Sequence, residues 1–214
     1  MANDKNPTAL WFARMRETMN TGNPKDPNRT GTLAYLMTNF FKANYGITDL
    51  PKTVADYAIY DQLPVAANTQ FFQGQWTTVR SNYPGGSFNT PQSEHMIVQG
   101  LRIFEAVQAA ATIDEADWQP GATDPFLKNA AIGITINGQR VMTQLPLTVF
   151  DNNQLSATVQ GATNDNRGFY WLMEPLVVLG QTAIAIDLIN ASGGTITPNL
   201  ACRIELHGQR FIGN

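Results

Sequence analysis

Charge is what this chain of 214 residues has least of. Asp, Glu, Lys and Arg together make up 14% of it, against about 25% in an average soluble protein. Asn, Gln, Thr and Ser take their place. A neutral polar surface repels little and costs little to desolvate when it meets another surface. Extensive protein contact and a partnerless, uncharged β surface both fit that composition. The formal net charge is -3, so the whole protein has no basic footprint for nucleic acid. There is one cysteine, Cys202. It excludes an internal disulfide, fits a reducing compartment, and reads as a small core hydrophobe. No apolar run approaches the roughly 20 residues of a membrane span. The first apolar patch, Ala9 to Ala13, is too short for a secretory leader and runs into Arg14 and Arg16.

Catalytic signatures are missing too. There is no GxSxG and no Gly-Lys pair, so Asp114-Glu115-Ala116-Asp117 cannot be the second half of a nucleotide-binding set. The spacing of the same acids is not that of a calcium loop. His95 and His207 fall in predicted strands, but Glu94-His95 lacks the His-x-His that a sandwich metal site favours. Cys202 and His207 are five residues apart, which puts them on opposite faces of a strand. No catalytic, cofactor-binding or metal-ligating residue is expected. Trp11, Trp76, Trp118 and Trp171 could stack on sugars, although core or interface anchoring accounts for most tryptophans.

What is present divides in two. Residues 1–52 hold seven of the 14 basic and four of the 17 acidic residues, a net +3 against -6 for the rest. Asn6-Pro7 is a helix start, and Trp11, Met15 and Met19 follow on one helical face. Thr21 to Arg29 is a loop with two prolines. Leu33, Leu36, Met37 and Phe40 then form an i, i+3, i+4, i+7 stripe, closed by Gly46. These helices either pack on the body or dock on a neighbouring subunit.

Residues 49–62 are ambiguous between a short helix and an extended lead-in. Beyond them the pattern is β. Thr69 to Arg80 reads as a strand. Glu94 to Val107 reads as a long one, with Ile97, Leu101 and Ile103 on one face and Met96, Val98 and Phe104 on the other. Gly100 in its middle marks a bulge or a close approach. Thr112 to Pro125 reads as a surface loop. Asn137-Gly138 between alternating runs is the strongest hairpin code in the chain. Asp151 to Asn166 is a long polar loop, and Phe169 to Met173 is strand-like. Glu174 to Asn190 reads as strand, tight connection at Gly180-Gln181, and strand, with Ile184, Ile186 and Leu188 on one side. A final strand runs from Leu200 to Phe211. About eight strands after a helical segment predict a β-sandwich or barrel.

This order of parts resembles the single jelly-roll coat proteins of icosahedral viruses, small bacteriophage capsid proteins in particular. The most specific pieces are PLVVLGQTAIAIDLIN (175–190) and RIELHGQRF (203–211), and the resemblance spans about residues 60–212. It implies a mostly β protein: a short helical arm over 1–52 and an eight-stranded jelly-roll β-sandwich over 53–214. It implies a structural virion protein, not an enzyme, that builds an icosahedral shell from copies of itself in the host cytoplasm, with other virion proteins as further partners. Trp11, Met15, Leu33, Leu36, Met37 and Phe40 would form the exchanged assembly arm. Arg14, Arg16, Lys25 and Arg29 would touch the genome or an internal membrane. No cofactor is implied. The alternative is a carbohydrate- or receptor-binding sandwich, such as an accessory virion or fibre-head protein.

Overall fold

The structure is a computed structural model that describes residues 42–43, 46, 53–73, 77, 79–83, 90–92, 94–151, 168–190 and 194–212. The arm residues from Trp11 to Phe40 lie outside them, as does most of the predicted 151–166 loop. The described chain is mostly β, with two antiparallel sheets packed as a sandwich. Its strands are β1 (Thr53–Pro64), β2 (Thr69–Phe71), β3 (Glu94–Val107), β4 (Gln119–Pro120), β5 (Ala130–Ile136), β6 (Gln139–Pro146), β7 (Phe169–Val178), β8 (Ile184–Asn190) and β9 (Leu200–Ile212).

The larger sheet runs β1-β9-β3, with β7 and the two-residue β4 sharing the far edge of β3. A single bridge, Asp61 to Ser81, extends it beyond β1. The smaller sheet runs β2-β8-β5-β6. Four pairings nest inside one another: β1 with β9, β2 with β8, β3 with β7, and β5 with β6.

Alternation explains the core. Ile59, Leu101, Ile103, Ile204 and Leu206 from the larger sheet meet Phe71, Ile132, Ile134, Ile184, Ile186 and Leu188 from the smaller one, all buried in one cluster. Each such side chain contributes about 1.5–3 kcal/mol when fully withdrawn from water. Cys202 lies in the same cluster, and burial pushes its thiol pKa far up. His207 is on the other face of β9, as the spacing required.

The hairpin at Asn137-Gly138 is formed as predicted, with φ of 49° and 75° at the two turn residues. The connection at Gly180-Gln181 is also present, and Gln181 takes a φ of 60°. It carries the chain from one sheet to the other, since β7 and β8 belong to different sheets. The ambiguous stretch before residue 62 is the 12-residue strand β1.

Three expectations need correction. The strand predicted over 69–80 stops at Phe71, because buried Phe72 turns to a φ of 59°. Its N–H donates to the Asp61 carboxylate at 2.5 Å, and Arg80 grips the same carboxylate with two bonds of 2.8 Å. The predicted 112–125 loop carries a 3-10 turn (Ala110–Glu115), β4, and the Asp124 cap of a short helix α1 (Pro125–Lys128). Ile113 and Ala122 are buried within it. Finally, the two faces predicted for β3 are mixed. Met96, Val98, Leu101 and Ile103 all join the core, whereas Ile97 and Phe104 lie on the outer face. The cause is a bulge between Val98 and Gly100, which shifts the alternation by one residue.

Opposite that bulge, a Cβ on Gly208 would lie 1.8 Å from the Ile97 carbonyl oxygen. Only glycine fits there. On the other side, β7 is irregular as well: Val98 pairs with Leu176 and Gly100 with Trp171, which leaves residues 172–175 in the register shift, with Leu172 buried in the core and Met173 exposed. Pro175, which has no N–H for the ladder, sits in that irregularity.

Candidate functional site on the outer face of the larger sheet

Facing strands in register bring together side chains that are far apart in sequence. On the outer face, Tyr60 of β1 lies opposite Glu205 of β9, which lies opposite Arg102 of β3. Arg203 of β9 lies opposite Phe104 of β3, and His207 lies opposite Gly100. Phe169 and Trp171 of β7 complete the row.

The contacts form a ladder of cations and rings. The Arg203 guanidinium sits 3.8 Å from the Tyr60 ring centroid and 5.7 Å from that of Phe104. Arg102 lies 4.8 Å above the same Phe104 ring. Such contacts are worth about 0.5–1 kcal/mol when exposed and more when desolvated. Glu205 is the hinge of the group. Its two oxygens meet Arg203 at 2.6 Å and His207 Nε2 at 2.8 Å. Burial pushes the Glu205 carboxyl up, but the His207 hydrogen bond and the Arg203 charge outweigh it and hold the pKa below the ordinary glutamate range.

The aromatic end is built on a glycine. A Cβ on Gly100 would lie 2.3 Å from the Phe169 ring, so the ring can lie over β3 only because that atom is absent. Phe169 touches the His207 ring edge-on at 5.2 Å and stacks, tilted, on Trp171 at 4.7 Å. Trp171 is 59% exposed and Met173 is 89% exposed, lifted outward by the β7 bulge. Arg203 Nε is buried with no hydrogen-bond partner; the guanidinium is held by the Tyr60 ring face and, through Nη2, by Glu205.

The structure sorts the sequence candidates as follows. Trp171 and His207 are in this cluster. Trp118 is half-buried, and Trp11 and Trp76 lie outside the described residues. His95 is elsewhere: its Nδ1 accepts the Gly180 N–H at 3.0 Å, which ties the β7–β8 connection to β3. Burial lowers its pKa. Asp114, Glu115 and Asp117 are exposed on and just beyond the 3-10 turn. Among the described residues no group of three or more His, Cys, Asp or Glu could hold a metal. Arg14, Arg16, Lys25 and Arg29 lie outside the described residues, as does the whole apolar stripe.

Sequence reading missed Tyr60, Arg102, Phe104, Phe169, Arg203 and Glu205. Arg203-x-Glu205-x-His207 is the one local signal, three polar residues at alternate positions of a strand. The others become neighbours only through register. Against known proteins, the chain matches no family model and no curated protein.

Proposed function

We propose that this chain is a structural virion protein, a single jelly-roll coat subunit that assembles with copies of itself into a closed icosahedral shell. The observation that carries the reading is the nested pairing. Leaving out β4, eight strands pair first with last, second with seventh, third with sixth, and fourth with fifth. That is one long antiparallel hairpin wrapped into two sheets, the arrangement of jelly-roll domains in viral coats and lectins. Fold alone does not fix function, so the composition matters as well. A sandwich of low charge density, with Trp171 and Met173 exposed on one sheet, suits repeated contact between identical subunits. The role is structural rather than catalytic, in the virion, after assembly in the host cytoplasm. Residues 33–40 would act as the exchanged arm.

Light scattering across a range of salt, with negative-stain images of the same sample, tests the reading. Closed particles, or pentamers and hexamers that grow into them, are expected. A monodisperse monomer or trimer under every condition counts against it.

A further inference from the structure

We propose that the outer face of the larger sheet around Ile97 and Phe211 is the seat of the chain's own N-terminal segment, which lays the apolar stripe Leu33, Leu36, Met37 and Phe40 across β3 and β9. The inference concerns the single subunit and stands whether or not the chain forms a shell.

Burial on the far side of the sheet is the first argument. Ile97 lies between Met96 and Val98, which both point into the sandwich, so its side chain points out. Phe211 is an odd number of residues from Ile204 and Leu206, which point inward, so it points out as well. Neither belongs to the core cluster. Yet both are 0% exposed, and Gln209, opposite Ile97 in the ladder, is 2% exposed. A sheet face left to solvent does not hide a phenylalanine and an isoleucine completely. These burials arise within a single chain, so the cover belongs to that chain.

The second argument is the tether. Thr53, the first residue of β1, pairs with Ile212, which pairs in turn with Glu94. Phe211 and His95 face each other one step further along. Gly46 lies seven residues before Thr53. It has a φ of 66° and donates its N–H to the Lys42 carbonyl at 3.2 Å, the left-handed ending expected for the helix over 32–44. Seven residues span at most about 25 Å, so that helix ends within reach of the patch. Lys42 is helical and exposed. At 3.6 residues per turn it falls about 180° from the middle of the stripe, which turns the stripe away from solvent.

The third argument is composition. The internal stretches 84–89 and 152–167 offer as large apolar residues only Phe88, and only Leu155 and Val159. Trp11, Met15 and Met19 lie much farther from Thr53. The stripe brings four large apolar side chains on a short tether, which suits a helix laid in an apolar groove.

A thiol placed at Ile97 in the full chain tests the seat. Cys202 is fully buried and its thiol pKa is pushed far up, so it stays silent toward a neutral maleimide while the fold is intact, and its labelling reports unfolding. Ile97→Cys is expected to label slowly. Adding Leu36→Asp and Phe40→Asp should release the segment and speed that labelling at least about tenfold, with Cys202 still unlabelled. Gln209→Cys, on the facing strand, repeats the measurement if Ile97→Cys does not fold. Co-expressing the Ile97→Cys chain with an excess of Leu36→Asp/Phe40→Asp chains that keep Ile97 should leave the thiol protected. Light scattering on the same samples follows assembly separately. The proposal is overturned if the thiol labels fast in the otherwise unchanged chain, or if the two aspartates leave its rate unchanged, which would assign the cover to another segment. It is equally overturned if co-expression makes the thiol reactive, since the cover would then come from a neighbouring copy.

Discussion

The two outer faces of the sandwich use one device to different ends. Each lays a large side chain flat across a central strand over a glycine. On the smaller sheet Arg140 of β6 crosses β5 at Gly133, where a Cβ would lie 1.8 Å from the guanidinium, and reaches Asp187 of β8. Gln70 of β2 donates to the same aspartate at 2.5 Å. The neighbours are small, Ala131, Thr135 and Ala185, and the charges cancel one to one. On the larger sheet the flat-lying group is Phe169 over Gly100, its neighbours are rings and guanidiniums, and the Glu205 carboxylate bonds both Arg203 and His207. Local pairing closes the first face. The second leaves Trp171, at 59%, and Met173, at 89%, exposed. A face that is merely solvated has no need of an exposed tryptophan buttressed by a second ring.

The largest expected effect comes from removing the frame that holds the second face. Gly208→Ala forces a Cβ into the Ile97 carbonyl, and backbone cannot swing aside as a side chain can. A loss of about 3 kcal/mol or more in chemical denaturation is expected, with the β3 bulge and the row of outer residues lost together. A loss under about 1 kcal/mol would mean that the β3–β9 register is looser than described. Next is Gly100→Ala. The added methyl meets the Phe169 ring, with the Tyr170 carbonyl 3.2 Å away, so the ring must leave β3. A cost of about 1–3 kcal/mol is expected, together with a shift in tryptophan emission as Trp171 loses its backing.

Acid sharpens the contrast further. The Glu205 carboxyl is held below its ordinary range in the folded protein. Its stabilisation is therefore complete above the ordinary glutamate value and is lost as pH falls through the folded one. Glu205→Gln should cost about 1.5–3 kcal/mol near neutral pH, and the gap to the parent should close in acid. Asp61 works in the opposite sense. Burial raises its pKa despite Arg80, so its contribution is fullest in acid and falls as pH rises through the folded value. A gap for Glu205→Gln that stays constant down to strong acid would sink the assignment of Glu205 as the ionised hinge.

How much of this was readable in the sequence depended on the range of the signal. Asn137-Gly138 announced its hairpin because two adjacent residues must both accept positive φ, and both do. Ile184, Ile186 and Leu188 announced β8 because alternation is local. The span of β3 was legible to the residue, and so was the special role of Gly100, yet the faces of that strand were not. One bulge reverses the alternation, and nothing in EHMIVQGLRIFEAV says on which side of the glycine the extra residue falls. The short β2 failed for a related reason. Phe72 looks like a strand residue, but its N–H is held in a left-handed turn by a buried carboxylate 11 positions earlier. The outer-face cluster was least legible of all, because Tyr60, Phe104, Phe169 and Arg203 become neighbours only once four strands are in register.

The smallest effect is the most discriminating. Gly133→Ala meets only the mobile end of Arg140, which can lift into solvent. The ion pair with Asp187 would be lost, but side chains there are about one-third exposed, at 33% and 30%. Such surface pairs are worth roughly 0.2–1 kcal/mol. Replacing glycine within a strand returns about as much, since the unfolded chain has less freedom to lose. Gly133→Ala should therefore change stability by less than about 0.5 kcal/mol. Gly100→Ala, an identical change on the opposite sheet, should cost about 1–3 kcal/mol. Equal costs at the two glycines would mean that Phe169 rests on Gly100 no more firmly than Arg140 rests on Gly133, and the larger sheet would lose its claim to a built surface.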